Sequence, residues 1–344
     1  MILFQCDYNE GAHPKIMERL FATNMEQTVG YSEDEYCAAA AAKIREALCD
    51  DSLAVHFLVG GTQTNLTVID AALRSHQGVL TATSGHINVH ETGAVEACGH
   101  KVLGLPSSDG KITAAQVEEA YQAHVSDGSF EHIVQPKMVY ISNPTELGTI
   151  YYKEELQELS RVCRKYGLYL FMDGARLGYG LMAPDNDLTM ADIAALCDVF
   201  YIGGTKVGAL FGEAVVIQSE ELKKDFRYII KQKGGMLAKG RLLGIQFDTL
   251  FTDELYFKIS AHAIAMAEKL RAAFTEKGYP YLVANRTNQI FPVIPDAELK
   301  VLGKEFGYCY MERVDDTHSA VRFCTSWATK EENVDALIRA VKAL

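Results

Sequence analysis

The segment Leu168-Tyr-Leu-Phe-Met-Asp173-Gly-Ala-Arg176 is an apolar run that ends in an acid, the pattern of a buried strand with a carboxylate at its carboxyl end. Ligands of open α/β sheets bind outside such ends, so Asp173 is a candidate site residue. Thirty-three residues later, Val199-Phe-Tyr-Ile-Gly-Gly-Thr205-Lys206 repeats the design and ends in a lysine. Its glycines permit close backbone approach, and a lysine desolvated on an apolar rim has a lowered pKa. Taken singly, Asp173 reads as a turn or capping aspartate and Lys206 as a solvated lysine. As a pair they meet the requirements of pyridoxal phosphate. The amine forms a Schiff base with its aldehyde, and the carboxylate keeps its pyridine nitrogen protonated as an electron sink.

A third segment, Phe57-Leu-Val-Gly60-Gly61-Thr62-Gln63-Thr64-Asn65-Leu66, runs from a strand through glycines into a helix. The free N–H groups and dipole of a helix start favour a phosphate. The segment lacks both the lysine of a P-loop and the GxGxxG spacing of a dinucleotide fold, which disfavours a nucleotide.

Short β-rich apolar runs at 54–58, 79–82, 137–141, 168–172, 198–202 and 213–217 predict the strands that position these residues. Helix-forming stretches at 33–49, 63–75, 113–124 and 153–166 separate them, with Thr113 and Asn65 at expected helix starts. The alternation predicts an α/β fold with a mostly parallel sheet covered by helices. Stretches 219–250 and 253–277 read as largely helical. The remainder reads as strand 288–294, helix 297–306, strands 307–312 and 320–325, and helix 330–343. This gives a large domain over 1–251, N-terminal arm included, and a small C-terminal α+β domain over 252–344.

The chain has 344 residues, 48% of them hydrophobic, enough for two sizeable cores. A net charge of −12 offers no attraction to phosphate backbones or anionic lipid, so neither nucleic acid nor membrane is an expected partner. The eight cysteines show no CxxC pair or metal-type spacing and read as reduced thiols, with no metal site expected. With no basic leader and no membrane-length apolar run, a cytoplasmic protein is expected.

In order and spacing, FLVGGTQTNL, SGHINVHETGA, LYLFMDGARL and YIGGTKVGALFGEA resemble the low-specificity threonine aldolases of the β-eliminating lyase group, over nearly the whole chain. The resemblance implies a fold-type-I, aspartate-aminotransferase-like enzyme that holds pyridoxal 5′-phosphate on Lys206, with Asp173 on the pyridine nitrogen. It makes Gly61, Thr62 and Thr205 phosphate ligands, places Ala175 against the ring, and matches His86 to the histidine that stacks on it. An isolated histidine would otherwise read as structural. Glu91 matches a family acid less closely. Arg176 and Arg322 match arginines that grip the substrate carboxylate, a task suited to the bidentate guanidinium; as isolated residues they would read as surface ion pairs.

Three positions depart from the family pattern. Glu146, in Asn143-Pro-Thr-Glu146, stands where many members have a histidine near the substrate hydroxyl, and a desolvated carboxylate there is a candidate base. Cys6 stands where a serine often helps hold the substrate carboxylate, with Asp7 and Asn9 as compensating candidates. Leu237 stands where an arginine often reaches a neighbouring subunit's phosphate, and Lys239 is the expected substitute. The implied reaction is cleavage of a small β-hydroxy-α-amino acid to glycine and an aldehyde by a homodimer or homotetramer. The alternatives are another pyridoxal-phosphate lyase or racemase reaction, such as β-elimination, and a non-catalytic cofactor-binding protein.

Overall fold

In a computed structural model that describes residues 1–344, the apolar runs assemble into a seven-stranded sheet. Numbering begins with the short β1 (Ile2–Leu3), which lies outside it. The sheet comprises β2 (Ala54–Leu58), β3 (Gln77–Ala82), β4 (Lys101–Leu105), β5 (Gln135–Ser142), β6 (Tyr169–Asp173), β7 (Val199–Gly203) and β8 (Glu213–Ile217), in the order β2-β8-β7-β6-β5-β3-β4. Only β8 runs against the rest. The central strands β6, β7 and β8 are buried throughout, which is why they read as continuous apolar runs rather than alternating ones.

Registration aligns the functional ends. Ser142 of β5 sits opposite Asp173 of β6, and Glu213 of β8 sits between Leu58 of β2 and Gly203 of β7. The ends of five strands therefore share one sheet edge.

Helices pack on both faces, and their ends follow local chemistry. Thr113 caps Ala114–Ser126 in a reciprocal box with Gln116, and Lys153–Tyr166 stops at Gly167 in the left-handed conformation. Asn65 is not a helix start. The helix covers Gly61–Ala72 from an extended Gly60, and Asn65 is fully buried within it. The expected helical stretch 219–250 is three helices, Glu220–Lys223, Phe226–Gln232 and Arg241–Leu250, interrupted at Asp225 and Gly234, both at positive φ. Strand β4 was not expected, because it is a partly exposed edge containing Gly104 and lacks the continuous apolar signal of the centre.

The long helix Leu255–Lys277 leads to the C-terminal elements β9 (Gln289–Ile290), β10 (Val293–Pro295), β11 (Phe306–Gly307), β12 (Cys309–Arg313) and β13 (His318–Cys324), with helices Asp296–Leu302 and Glu331–Ala343. The single strand expected at 288–294 is divided at Phe291–Pro292, since proline cannot donate to a ladder. A separate apolar core joins this layer and includes Leu270, Phe274, Ile290, Phe323 and Leu337. Phe4 belongs to that core and β1 pairs with β11, so the first four residues pack with the C-terminal layer. No helix is long and apolar enough to cross a membrane.

Candidate active site

The aligned edge opens into a cavity of about 280 Å³. Its walls include Gly61, Thr62, His86, Glu146, Asp173, Ala175, Arg176, Thr205 and Lys206, which were expected there, together with Asn65, Tyr201 and Glu213, which were not.

Asp173 ends β6 and is 5% exposed. Its Oδ2 accepts hydrogen bonds from the Tyr140 hydroxyl (2.5 Å) and the Asn65 amide (3.2 Å), and Oδ1 accepts from the Ala175 N–H (2.9 Å). Burial pushes this carboxyl up, but hydrogen bonds from Tyr140, Tyr201 and Ala175, with the nearby His86, outweigh it and hold the group below the ordinary aspartate value. An ionised acid at the base of a cavity can keep a heterocyclic nitrogen protonated.

Lys206 follows the β7 turn, whose backbone is fixed on several sides. The Tyr179 hydroxyl donates to the Lys206 carbonyl (2.5 Å), and the Tyr256 hydroxyl donates to the Gly203 carbonyl (3.0 Å). Burial and the Arg176 charge lower the lysine's pKa, opposed by Asp7, Asp173 and Glu213. A neutral amine is the form that attacks an aldehyde.

His86 Nδ1 donates to Glu91 Oε1 (2.8 Å), which also accepts from Asn65 Nδ2 (2.7 Å). One amide thereby links the acid behind His86 to the acid at the cavity base. Beside His86, Glu146 Oε1 accepts from the Ser142 hydroxyl (2.7 Å) and the His86 backbone N–H (2.9 Å). Desolvation raises the Glu146 carboxyl above its ordinary value, against the pull of Ser142 and the His86 N–H.

Four expected site residues are not in the lining. Asp7, expected at the substrate carboxylate, is wholly buried and gives both oxygens to Arg176 (Oδ2 to Nε at 2.6 Å, Oδ1 to Nη2 at 3.0 Å), and Oδ2 also accepts from Asn288 (2.9 Å). As an anion it repels a carboxylate, and its two oxygens hold the Arg176 guanidinium in one orientation. Cys6 donates to Asn9 at the chain surface. Arg322 donates to Gln289 and to the Gln5 carbonyl at 3.1 Å each, while its buried Nε has no partner. Lys239 is exposed and stands outside the cavity of its own chain.

Of the residues that sequence reading missed, Tyr140 and Tyr201 looked like ordinary core aromatics. Glu213 did carry a signal, as an acid at the head of an otherwise apolar run.

The sheet order, the lysine after β7 and the acid ending β6 define the fold-type-I architecture of aminotransferase-like enzymes. The family described as beta-eliminating lyase matches residues 5–297, and the chain belongs to it. It is therefore an enzyme of the lyase class. A low specificity L-threonine aldolase of a Pseudomonas species is 28% identical, aligned over 99% of this chain and 97% of its own. The solved threonine aldolase of Leishmania major is 45% identical, with TM-score 0.97 over 100% of this chain and 99% of that one. The aspartate aminotransferase of Thermus thermophilus, at 15% identity and TM-score 0.72, shares the fold.

Proposed function

We propose that this chain cleaves the Cα–Cβ bond of β-hydroxy-α-amino acids of the threonine or allo-threonine type, yielding glycine and an aldehyde, with pyridoxal 5′-phosphate as cofactor. The observation that carries the reading is that a deprotonatable lysine, an ionised aspartate and a desolvated glutamate line one cavity. The residues fit the cofactor. Lys206 would hold its aldehyde carbon, Asp173 its ring nitrogen, His86 and Ala175 its faces, and Gly61, Thr62 and Thr205 its phosphate. Asn65, in the cavity lining, has a buried Oδ1 with no protein partner. When bound, the group draws electrons from the bonds around the substrate's α-carbon.

The protein's own groups then select the bond. Arg176, aimed by Asp7, binds the substrate carboxylate and fixes the orientation of Cα, and the guanidinium of Arg322, which stands outside the lining and bonds Gln289 and Gln5, would turn in to complete the grip. Glu146 takes the proton from the β-hydroxyl as the aldehyde departs, and Lys206 moves protons at Cα. Support for this substrate class comes from the threonine aldolases similar to the chain over its full length.

Exposed apolar side chains at Phe21, Met25, Val29 and Tyr228 support assembly as a homodimer or homotetramer. Lys239 would then act across the interface, and sedimentation velocity reads the state directly. Eight unpaired cysteines support a reducing, cytoplasmic setting.

The decisive experiment measures aldehyde and glycine released from L-threonine, L-allo-threonine, their D-forms and a phenyl-substituted β-hydroxy acid, with Lys206→Ala as control. Aldehyde and glycine in equal amounts, absent in the control, are expected. Keto-acid formation or racemisation without aldehyde overturns the reading.

A further inference from the structure

Glu213 is 3% exposed, yet it heads a strand otherwise made of Ala, Val and Ile. It lies opposite Leu58 on one side and Gly203 on the other. Those neighbours lead respectively into Gly60-Gly61-Thr62, at the start of helix Gly61–Ala72, and into Gly204-Thr205-Lys206. A buried carboxylate thus stands between the two loops that would receive a phosphate.

Its bonds run to one of these loops. Oε2 accepts from the Gly204 N–H (3.1 Å) and Oε1 from the Thr205 hydroxyl (2.8 Å), while the Thr205 Oγ accepts from the Gly212 N–H (3.0 Å). As long as Glu213 is ionised, the only proton on the Thr205 hydroxyl is committed to it. An oxygen with no free proton cannot donate to a phosphate, and a buried anion beside a dianion is repulsive.

Adding a proton to Oε1 reverses both effects. The acid then donates to the Thr205 Oγ across the same 2.8 Å, and Oε2 still accepts from Gly204. The Thr205 hydroxyl keeps two acceptor sites, filled by Gly212 and Glu213, and its own proton is free to turn toward the cavity.

We propose that Glu213 is a proton-holding positioning residue of the anion site, and that the cavity takes a phosphate dianion with Glu213 protonated and Thr205 turned to donate. This rests on the cofactor reading above and deepens it. Burial raises the Glu213 carboxyl to about 8, against the pull of the Thr205 and Gly204 hydrogen bonds and the Lys206 charge. The other charged or titratable groups facing it are Asp173 from β6, Tyr201 from β7 and Tyr256 from the helix Leu255–Lys277; from helix Arg241–Leu250 the apolar Leu243 and Phe247 approach the neighbouring Gly212 and Gly204. The protonated form therefore prevails at neutral pH and is lost in mild alkali.

The test compares dissociation constants of pyridoxal 5′-phosphate and of pyridoxal, which carries the same aldehyde but no phosphate, on the full-length protein. The ratio of the two cancels the titration of Lys206. In the wild type the phosphate's advantage is expected to shrink by up to about tenfold per pH unit above the Glu213 value, the slope of a single linked proton. Glu213→Gln mimics the protonated acid, since its amide donates to Thr205 and its carbonyl accepts from Gly204. In that variant the ratio is expected to be flat. The same pH course in both proteins overturns the proposal. If the variant fails to fold, a flat ratio in the wild type alone overturns it and a falling advantage supports it. Failure of the wild type to hold either aldehyde through Lys206 refutes the cofactor reading instead, and this inference with it.

Discussion

The buried carboxyls divide into two kinds. Asp7 and Asp173 are held below the ordinary aspartate range by donors that exceed the effect of burial, whereas Glu146 and Glu213 are raised because burial wins. At Asp7 burial pushes the carboxyl up, and the charges of Arg176 and Lys206 with the hydrogen bonds of Arg176 and Asn288 pull it down further. A depressed folded-state value means that Asp7 stabilises the fold above its unfolded value, near 3.8, and loses that contribution as pH falls through its folded value. Asp7→Asn leaves a buried guanidinium without its anion and is expected to lower stability by about 3–5 kcal/mol near neutral pH. Urea unfolding of both proteins measures the gap, which should narrow below pH 3.8. Glu146→Gln should lower aldehyde release by about 10²–10⁴-fold, the usual span for a general base. In the wild type, turnover should climb with pH through a value above the ordinary 4.5, because the base works when deprotonated, and the variant should lack that limb.

At the scale of elements, the site depends on how closely the ends of β6 and β7 approach. A Cβ on Gly174 would lie 1.9 Å from the Tyr201 carbonyl oxygen, and one on Gly203 would lie 2.3 Å from that of Ala175. Both neighbours are backbone and cannot rotate away. Gly174→Ala is therefore expected to destabilise by at least the 1–3 kcal/mol typical of overpacking, about the same for Gly203→Ala, and to separate Asp173 from Lys206. Thermal unfolding reports the first effect, and loss of cofactor affinity reports the second. By contrast, Thr113→Ala removes a cap on Ala114–Ser126, far from this junction. It should reduce stability by about 1 kcal/mol and leave the kinetic constants unchanged.

For the molecule as a whole, two packed layers must hold their relation for Arg322 to serve a cavity built by the large sheet. Arg322 lies on β13 beside Phe323, whose ring packs at centroid distances of 5.2 Å from Phe274, 5.5 Å from Tyr308 and 6.4 Å from Phe4. Phe323 thus joins the long helix, the C-terminal sheet and the first residues of the chain. Phe323→Ala should reduce stability by about 3–5 kcal/mol. With Arg322 binding the substrate carboxylate as proposed, rather than reacting, steady-state kinetics of the folded variant should show KM rising more than kcat falls.

The sequence by itself determined the sheet-and-helix alternation and put an acid and a lysine, Asp173 and Lys206, at the ends of two strands that line one cavity. Buried parallel strands demand continuous apolar runs, and a lysine and an acid at the ends of two such runs have few other uses. It also placed Gly61, Thr62, His86, Glu146, Ala175, Arg176 and Thr205, through their resemblance to a known pattern. It could not give β4, whose edge position removes the need for apolar continuity, or the break at Pro292 within an apolar run. Partnerships between distant residues were left to the tertiary structure, because they depend on strand register and have no local signal. Asp7 proved to be the anchor of Arg176, 169 positions away. Asn65, expected to start a helix, came to lie between two acids. Glu213 became a site residue because antiparallel β8 inserts between β2 and β7 and brings its first side chain to their carboxyl ends.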